Sequence, residues 1–88
     1  MVALFPPGKV VATQGAAEIS REVLFAALKR HLSGDWGDVS EDDKQLNDEA
    51  VKYGDRILSS YRAPDGTKFW IITESDRSAT TFLLPDEY

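Results

Sequence analysis

The stretch RILSSYRAPDGTKFWIITE, residues 56–74, decides the fold. Two runs rich in β-branched and aromatic residues flank Pro64-Asp65-Gly66. Pro suits the first central position of a type I turn, and Gly suits the left-handed position of the bulge that closes it. The triplet therefore predicts a hairpin with a three-residue loop. Such a loop pairs Ala63 with Thr67, and that single pair sets the rest: Tyr61 faces Phe69, Ser60 faces Trp70, Leu58 faces Ile72 and Arg56 faces Glu74. Aromatic against aromatic, with opposite charges at the far end, are pairs that stabilise a sheet. Arg62 against Lys68 is the one like-charge pair, and it lies beside the turn, where water screens it.

Downstream, ESDRSA turns the chain into TTFLL, a third strand. A four-residue loop at 75–78 pairs Thr73 with Thr80 and Ile71 with Phe82. One sheet face is then Ile57, Tyr61, Phe69, Ile71, Phe82 and Leu84. The other carries Leu58, Trp70, Ile72 and Leu83, with Ser60 and Thr81. A sheet with one wet face shows polar residues there, yet both faces here are apolar. Helices are expected on one side. The head of the chain, with Val2, Leu4, Phe5, Val10 and Val11, is expected on the other, since large bare apolar patches are uncommon on monomers. Otherwise Leu58, Trp70, Ile72 and Leu83 form a homodimer interface.

Upstream, KVVAT (residues 9–13) is a short strand candidate after Pro6-Pro7-Gly8. Ser20 can cap a helix running to about Leu32, with Glu22 in its first turn and Lys29, Arg30 and His31 in its last, as the helix dipole prefers. Leu24, Ala27, Leu28 and Leu32 recur at helical spacing. Ser40 caps a second helix whose first turn holds Glu41, Asp42 and Asp43 and which Gly54 ends; Leu46, Ala50 and Tyr53 form its narrow apolar stripe. The fold expected is α+β in one domain, residues 1–88, with two helices on a three- to four-stranded, mostly antiparallel sheet.

The 88 residues carry a net charge of −5. Residues 35–55 hold eight acids and two bases, a net −6, which leaves +1 for the remainder. A nucleic-acid binder that works by counterion release needs a basic stripe; this segment repels phosphate and suits either a basic protein partner or simple solubility as a solvated helix face. There is no Cys, so neither a disulfide nor a thiolate metal site can form. The start, MVALFPPGK, lacks a basic leader region, and its apolar run is too short for a signal or a membrane span. A cytoplasmic setting is expected, with no membrane partner.

Few constellations carry chemistry. DVSEDDKQLNDE, residues 38–49, places Asp38, Ser40, Asp42 and Glu49 at EF-hand ligand positions, but Asp43 stands where the sharp turn needs Gly. A helix start explains the same residues, so no metal is expected. His31 is the sole histidine and cannot build a zinc site alone; a dipole complement or core-edge role is expected of it. Glu74, Asp76, Arg77, Ser78, Thr80 and Thr81 cluster at the second turn, as an anion site or as a turn held by its own side chains. No phosphate loop, dinucleotide fingerprint or hydrolase elbow occurs, and no cofactor is implied. In SGDWGD, residues 33–38, Trp36 either anchors the core or is offered to a partner.

GKVVAT, SGDWGD and RILSSYRAPDGTKFWIITESDRSATTFLLPDEY together resemble a family of small bacterial proteins associated with plasmids and mobile elements, some labelled as restriction-system subunits. The segment between Gly15 and Ser20 is shorter than that pattern. The resemblance implies a setting rather than a mechanism, and a methyltransferase subunit does not fit in a chain of this length. The function expected is a non-enzymatic protein-binding accessory factor, with inhibition of host or competitor defence machinery as one form of it. Its contact surface would be Asp35, Trp36, Asp38, Glu41, Asp42 and Asp43, and its partner a basic or DNA-handling protein. Two alternatives are kept. One is a ribosome-dependent RNase toxin using Arg56, Arg62, Lys68 and Arg77 on RNA, with His31 or Tyr61 as acid–base group. The other is a homodimeric module built on the second sheet face.

Overall fold

The computed structural model describes residues 3–88. Strand β1 is Lys9–Ala12, helix α1 Arg21–Leu32, helix α2 Glu41–Tyr53, and strands β2, β3 and β4 are Ile57–Arg62, Lys68–Thr73 and Ala79–Leu83. Short 3-10 turns occupy Ala16–Glu18 and Pro85–Glu87. The architecture is α+β, with two helices packed with a four-stranded mixed sheet of order β1-β4-β3-β2. The antiparallel meander has the register that the PDG loop dictates, Tyr61 opposite Phe69 and Leu58 opposite Ile72, and β4 follows with Thr73 opposite Thr80. β1 adds to the far side of β4, parallel to it, Val10 beside Thr80 and Ala12 beside Phe82.

Both helices start on serine side chains that satisfy free backbone amides. The Val23 amide donates to Ser20 Oγ, and the Asp43 amide to Ser40 Oγ at 3.1 Å. Gly54 leaves α2 in the left-handed region, φ 80°. Two apolar clusters form the core. Leu24 and Ala27 of α1 meet Tyr61, Phe69, Ile71 and Phe82 in one; Phe5, Trp36, Ala50 and Ile57 make the other.

Two expectations about burial are corrected. The head of the chain does not cover the second sheet face. Phe5 turns into the Trp36 cluster, Leu4 is exposed, and Val10 and Val11 lie on an exposed edge strand; Val2 is outside the described residues. The cover comes from the C-terminal end instead. The Pro85–Glu87 turn packs against β3, and Tyr88 stands edge-on to Trp70 at 5.7 Å while its hydroxyl accepts from Arg56 at 2.7 Å. Ile72 and Leu83 are buried and Leu58 and Trp70 half-buried, so this face is not a bare dimer surface.

The stripe expected to bury α2 is also reoriented. Ala50 is buried, but Leu46 is 61% and Tyr53 72% exposed, and the second inward residue is Asn47. Its side chain donates to the Leu58 carbonyl at 2.8 Å and accepts from the Leu58 amide at 3.2 Å. The edge of β2 needs polar partners, and a Leu at that position has none to give.

Candidate functional site

Trp36 points into the protein and is 3% exposed. Its ring stacks on Phe5 at 6.3 Å and meets His31 edge-on at 5.8 Å, and its indole N–H donates to Asp48 at 2.9 Å. The backbone around it runs beside β2. Ser60 donates to the Trp36 carbonyl at 3.1 Å and accepts from the Asp38 amide at 2.7 Å. Gly37 makes this approach possible: it has φ 73°, and a β-carbon there would strike the Ser60 carbonyl. The Gly–Asp–Trp–Gly–Asp loop is therefore a strap on the sheet edge with its tryptophan driven inward. Trp36 is removed from the expected contact surface, because its apolar neighbours hold it.

The acids divide into two sets. Asp35 is tied to Arg30 at 2.7 Å and also accepts from the Gly37 amide; the guanidinium hydrogen bond holds its carboxyl below the usual range. Asp38 lies 3.7 Å from Arg62. These two serve the loop. Glu41, Asp42 and Asp43 begin α2, where the dipole favours acids, and Asp42 continues along an exposed face through Gln45, Leu46 and Glu49. Tyr53 and Glu49 belong to the next hollow on the same helix. Two exposed apolar side chains seven residues apart thus sit on one helix face, Leu46 beside Asp42 and Glu49 and Tyr53 beside Glu49 and under the Lys52 ammonium. The apolar periodicity of Leu46, Ala50 and Tyr53 points to a buried stripe, so the sequence alone does not reveal their outward orientation.

The groups proposed for acid–base work lie elsewhere. His31 is 0% exposed, and burial pushes its pKa down to about 3, with the Arg77 charge adding to the effect. It is neutral at pH 7, so it is not the dipole complement expected in the last turn of α1. Nδ1 lies 2.5 Å from Ser59 Oγ and Nε2 2.9 Å from Thr73 Oγ1; Thr73 Oγ1 is 2.7 Å from Thr80 Oγ1, which donates to the Pro7 carbonyl at 2.7 Å. Proton counting orders the chain. The Thr80 proton goes to Pro7, so the Thr73 proton must go to Thr80. Thr73 then accepts from Nε2–H, and Ser59 donates to Nδ1. A Ser–His contact of this kind is the start of a nucleophile–base pair, but Ser59 is also 0% exposed and no substrate reaches it. The chain is a polar cross-link running from β2 through β3 and β4 to the segment before β1. The hairpin register carried its signal: Ser59, Thr73 and Thr80 all fall on the helix side of the sheet, where hydroxyls need a partner.

Tyr61 is likewise buried, which pushes its phenol up to about 12, and it donates to the Asp35 carbonyl at 2.7 Å. Arg77 does not present a cation to an anion. Its guanidinium donates to the carbonyls of Ala50 and Asp55 at 2.8 and 2.6 Å and to Glu74, and it lies over Phe5. It caps the C-terminus of α2 from a left-handed backbone, φ 61°. Asp76 accepts from the Ser78 amide, so the second turn is held by its own side chains. Arg56 is engaged with Tyr88 and Glu74, and Arg62 with Asp38, while Lys68 stays exposed opposite Arg62 across the hairpin. Among the described residues, no cluster of His, Asp and Glu is placed to hold a metal ion, and no helix is long and apolar enough to cross a membrane. Comparison with protein-family models, curated proteins and solved structures finds no match to this chain.

Proposed function

We propose that the chain is a non-enzymatic protein-binding accessory factor and that the exposed face of α2 is its contact surface. The observation that carries this reading is the placement of Leu46, 61% exposed, beside Asp42 and Glu49, with Tyr53, 72% exposed, next along the helix beside Glu49 and Lys52. Apolar anchors within a charged rim are the anatomy of a specific contact. The rim selects a basic partner, steering it and repelling acidic surfaces. A DNA-handling protein fits, because a helix face of spaced carboxylates can occupy the cationic surface that otherwise takes phosphates. On a plasmid or mobile element, such occupancy would inhibit host or competitor machinery. The RNase alternative lacks support, since His31 and Tyr61 are both buried.

The test is capture from a host lysate, identification of the retained protein, and titration of that purified protein with this chain and with duplex DNA. Retention of a basic DNA-handling protein, competition with DNA, and loss of both in Asp42→Lys with Glu49→Lys support the reading. A partner that is not basic, or binding that survives the double reversal with α2 intact by circular dichroism, overturns it.

A further inference from the structure

The second edge of the sheet is open. In β1 the amides and carbonyls of the odd-numbered residues face β4: the Lys9 amide donates to Ser78 and the Thr13 amide to Phe82. Val10 and Ala12 therefore aim their N–H and C=O groups outward, and among the described residues these four groups have no partner. Every residue of β1 is exposed, and Phe25 of α1, 47% exposed, stands over the same edge beside an open groove of about 410 Å³ lined by Val10, Ala12, Leu24 and Phe25. The strand is short, four residues, and Lys9 stands at its start, but no proline, bulge or inward charge interrupts Val10–Ala12, where the outward groups lie.

We infer that β1 pairs with β1 of a second copy, antiparallel about a two-fold axis at Val11, to make a continuous eight-stranded sheet. Among symmetric registers this one pairs Val10 with Ala12 of the other chain twice over, so all four outward groups on each copy are satisfied. Val11 meets its own image on one face, and Val10 meets Ala12 on the helix face. Charge also fits. Lys9 faces Thr13 of the other copy, whose hydroxyl is held by Glu87 at 2.5 Å, so each Lys9 reaches a carboxylate across the axis. Lys9 makes no ion pair within its own chain among the described residues. The acidic face of α2 lies by β2, at the opposite edge, so the inference stands apart from the proposed function.

Sedimentation of the whole chain from low micromolar to millimolar concentration tests it, together with amide exchange and single-cysteine variants. The expected mass rises from 9.8 kDa toward twice that value, and the Val10 and Ala12 amides gain protection in step. Val11→Cys, in a chain with no other thiol, brings two sulfurs within bonding range at a non-hydrogen-bonded pair. It should cross-link roughly tenfold faster than Lys68→Cys, which lies at the hairpin turn. Val10→Pro removes an outward amide that the monomer does not use and should abolish the dimer, while Lys9→Glu weakens it. Three results overturn the inference: a monomer at millimolar concentration with Val11→Cys no faster than the control; a dimer indifferent to Val10→Pro; or β1 amides protected only when another protein is added.

Discussion

The two edges of this sheet present the same backbone chemistry and receive opposite treatment. On β2, the outward groups of Leu58 are taken by Asn47 and those of Ser60 by the Trp36–Asp38 strap. On β1, the outward groups of Val10 and Ala12 meet no described partner. The closed edge needs a loop with a glycine at φ 73°, a buried Trp to hold it down, and a helix turned so that Asn faces in. A short domain that invests three such features in one edge and none in the other separates a side built for stability from a side free to associate. An uncovered strand edge is a template for pairing, so the asymmetry has consequences at both ends.

The largest effect is expected at the strap. Trp36→Ala removes a buried ring with aromatic contacts to Phe5 and His31 and should cost about 3–5 kcal/mol. With the strap loosened, Ser60 loses its cover, and the variant should aggregate through β2 as well as unfold at lower denaturant. Asn47→Ala is the milder break, about 2 kcal/mol, because it leaves one amide and one carbonyl to find water. Urea titration followed by light scattering reads both. If Trp36→Ala keeps wild-type stability, the closed edge does not depend on the strap.

The polar chain joins the two edges, and acid should break it. The folded pKa of His31, about 3, lies below its unfolded value of 6.5. A group depressed on folding stabilises the protein above the unfolded pKa and loses that contribution as pH falls toward the folded one. Stability should therefore decline from pH 6.5 downward at about 1.4 kcal/mol per pH unit from this residue alone, or about 2 kcal/mol by pH 5. Protonating Nδ1 also turns it from acceptor to donor, so the Ser59 hydroxyl must turn its own proton away. The comparison that isolates it is His31→Gln, whose stability should be lower at pH 7 and nearly flat between pH 5 and 6.5. A wild-type curve equally flat there would mean that His31 is not held neutral.

The same contrast explains what could be read from the sequence. The β2–β3–β4 meander was legible to the residue, because one PDG loop and one four-residue loop set its register, and both helices were legible from Ser20, Ser40 and Gly54. The parallel seat of β1 was not fixed by four exposed residues; its pairing depends on a crossover through both helices, which no local pattern encodes. The inward Asn47 and outward Leu46 were hidden because helix periodicity ranks residues by apolarity, while the neighbour here is a strand edge that needs hydrogen bonds. Trp36 was legible as one of two things, and the choice turned on Gly37 fitting against Ser60. The cover on the second sheet face was assigned to the wrong end of the chain, since Tyr88 in a polar tail carries little hydrophobic signal until Arg56 and Trp70 are seen beside it.

The smallest effect is expected at Ser60, where both halves of the comparison meet in one residue. Its backbone is the best-covered part of the closed edge, yet its side chain lies on the opposite sheet face from the His31 chain, and among the described residues its buried Oγ has no hydrogen-bond partner. Ser59, one residue earlier, has its hydroxyl on His31. Removing a buried hydroxyl that makes no bond relieves its desolvation, whereas removing one that does leaves an acceptor unpaired. Ser60→Ala should thus be neutral or stabilising by up to about 1 kcal/mol, and Ser59→Ala destabilising by about 1–3 kcal/mol, although the two are neighbours of the same type. Parallel denaturation of the two variants decides the point. If Ser60→Ala costs as much as Ser59→Ala, the Ser60 hydroxyl has a partner, and the second sheet face is more polar inside than its apolar side chains suggest.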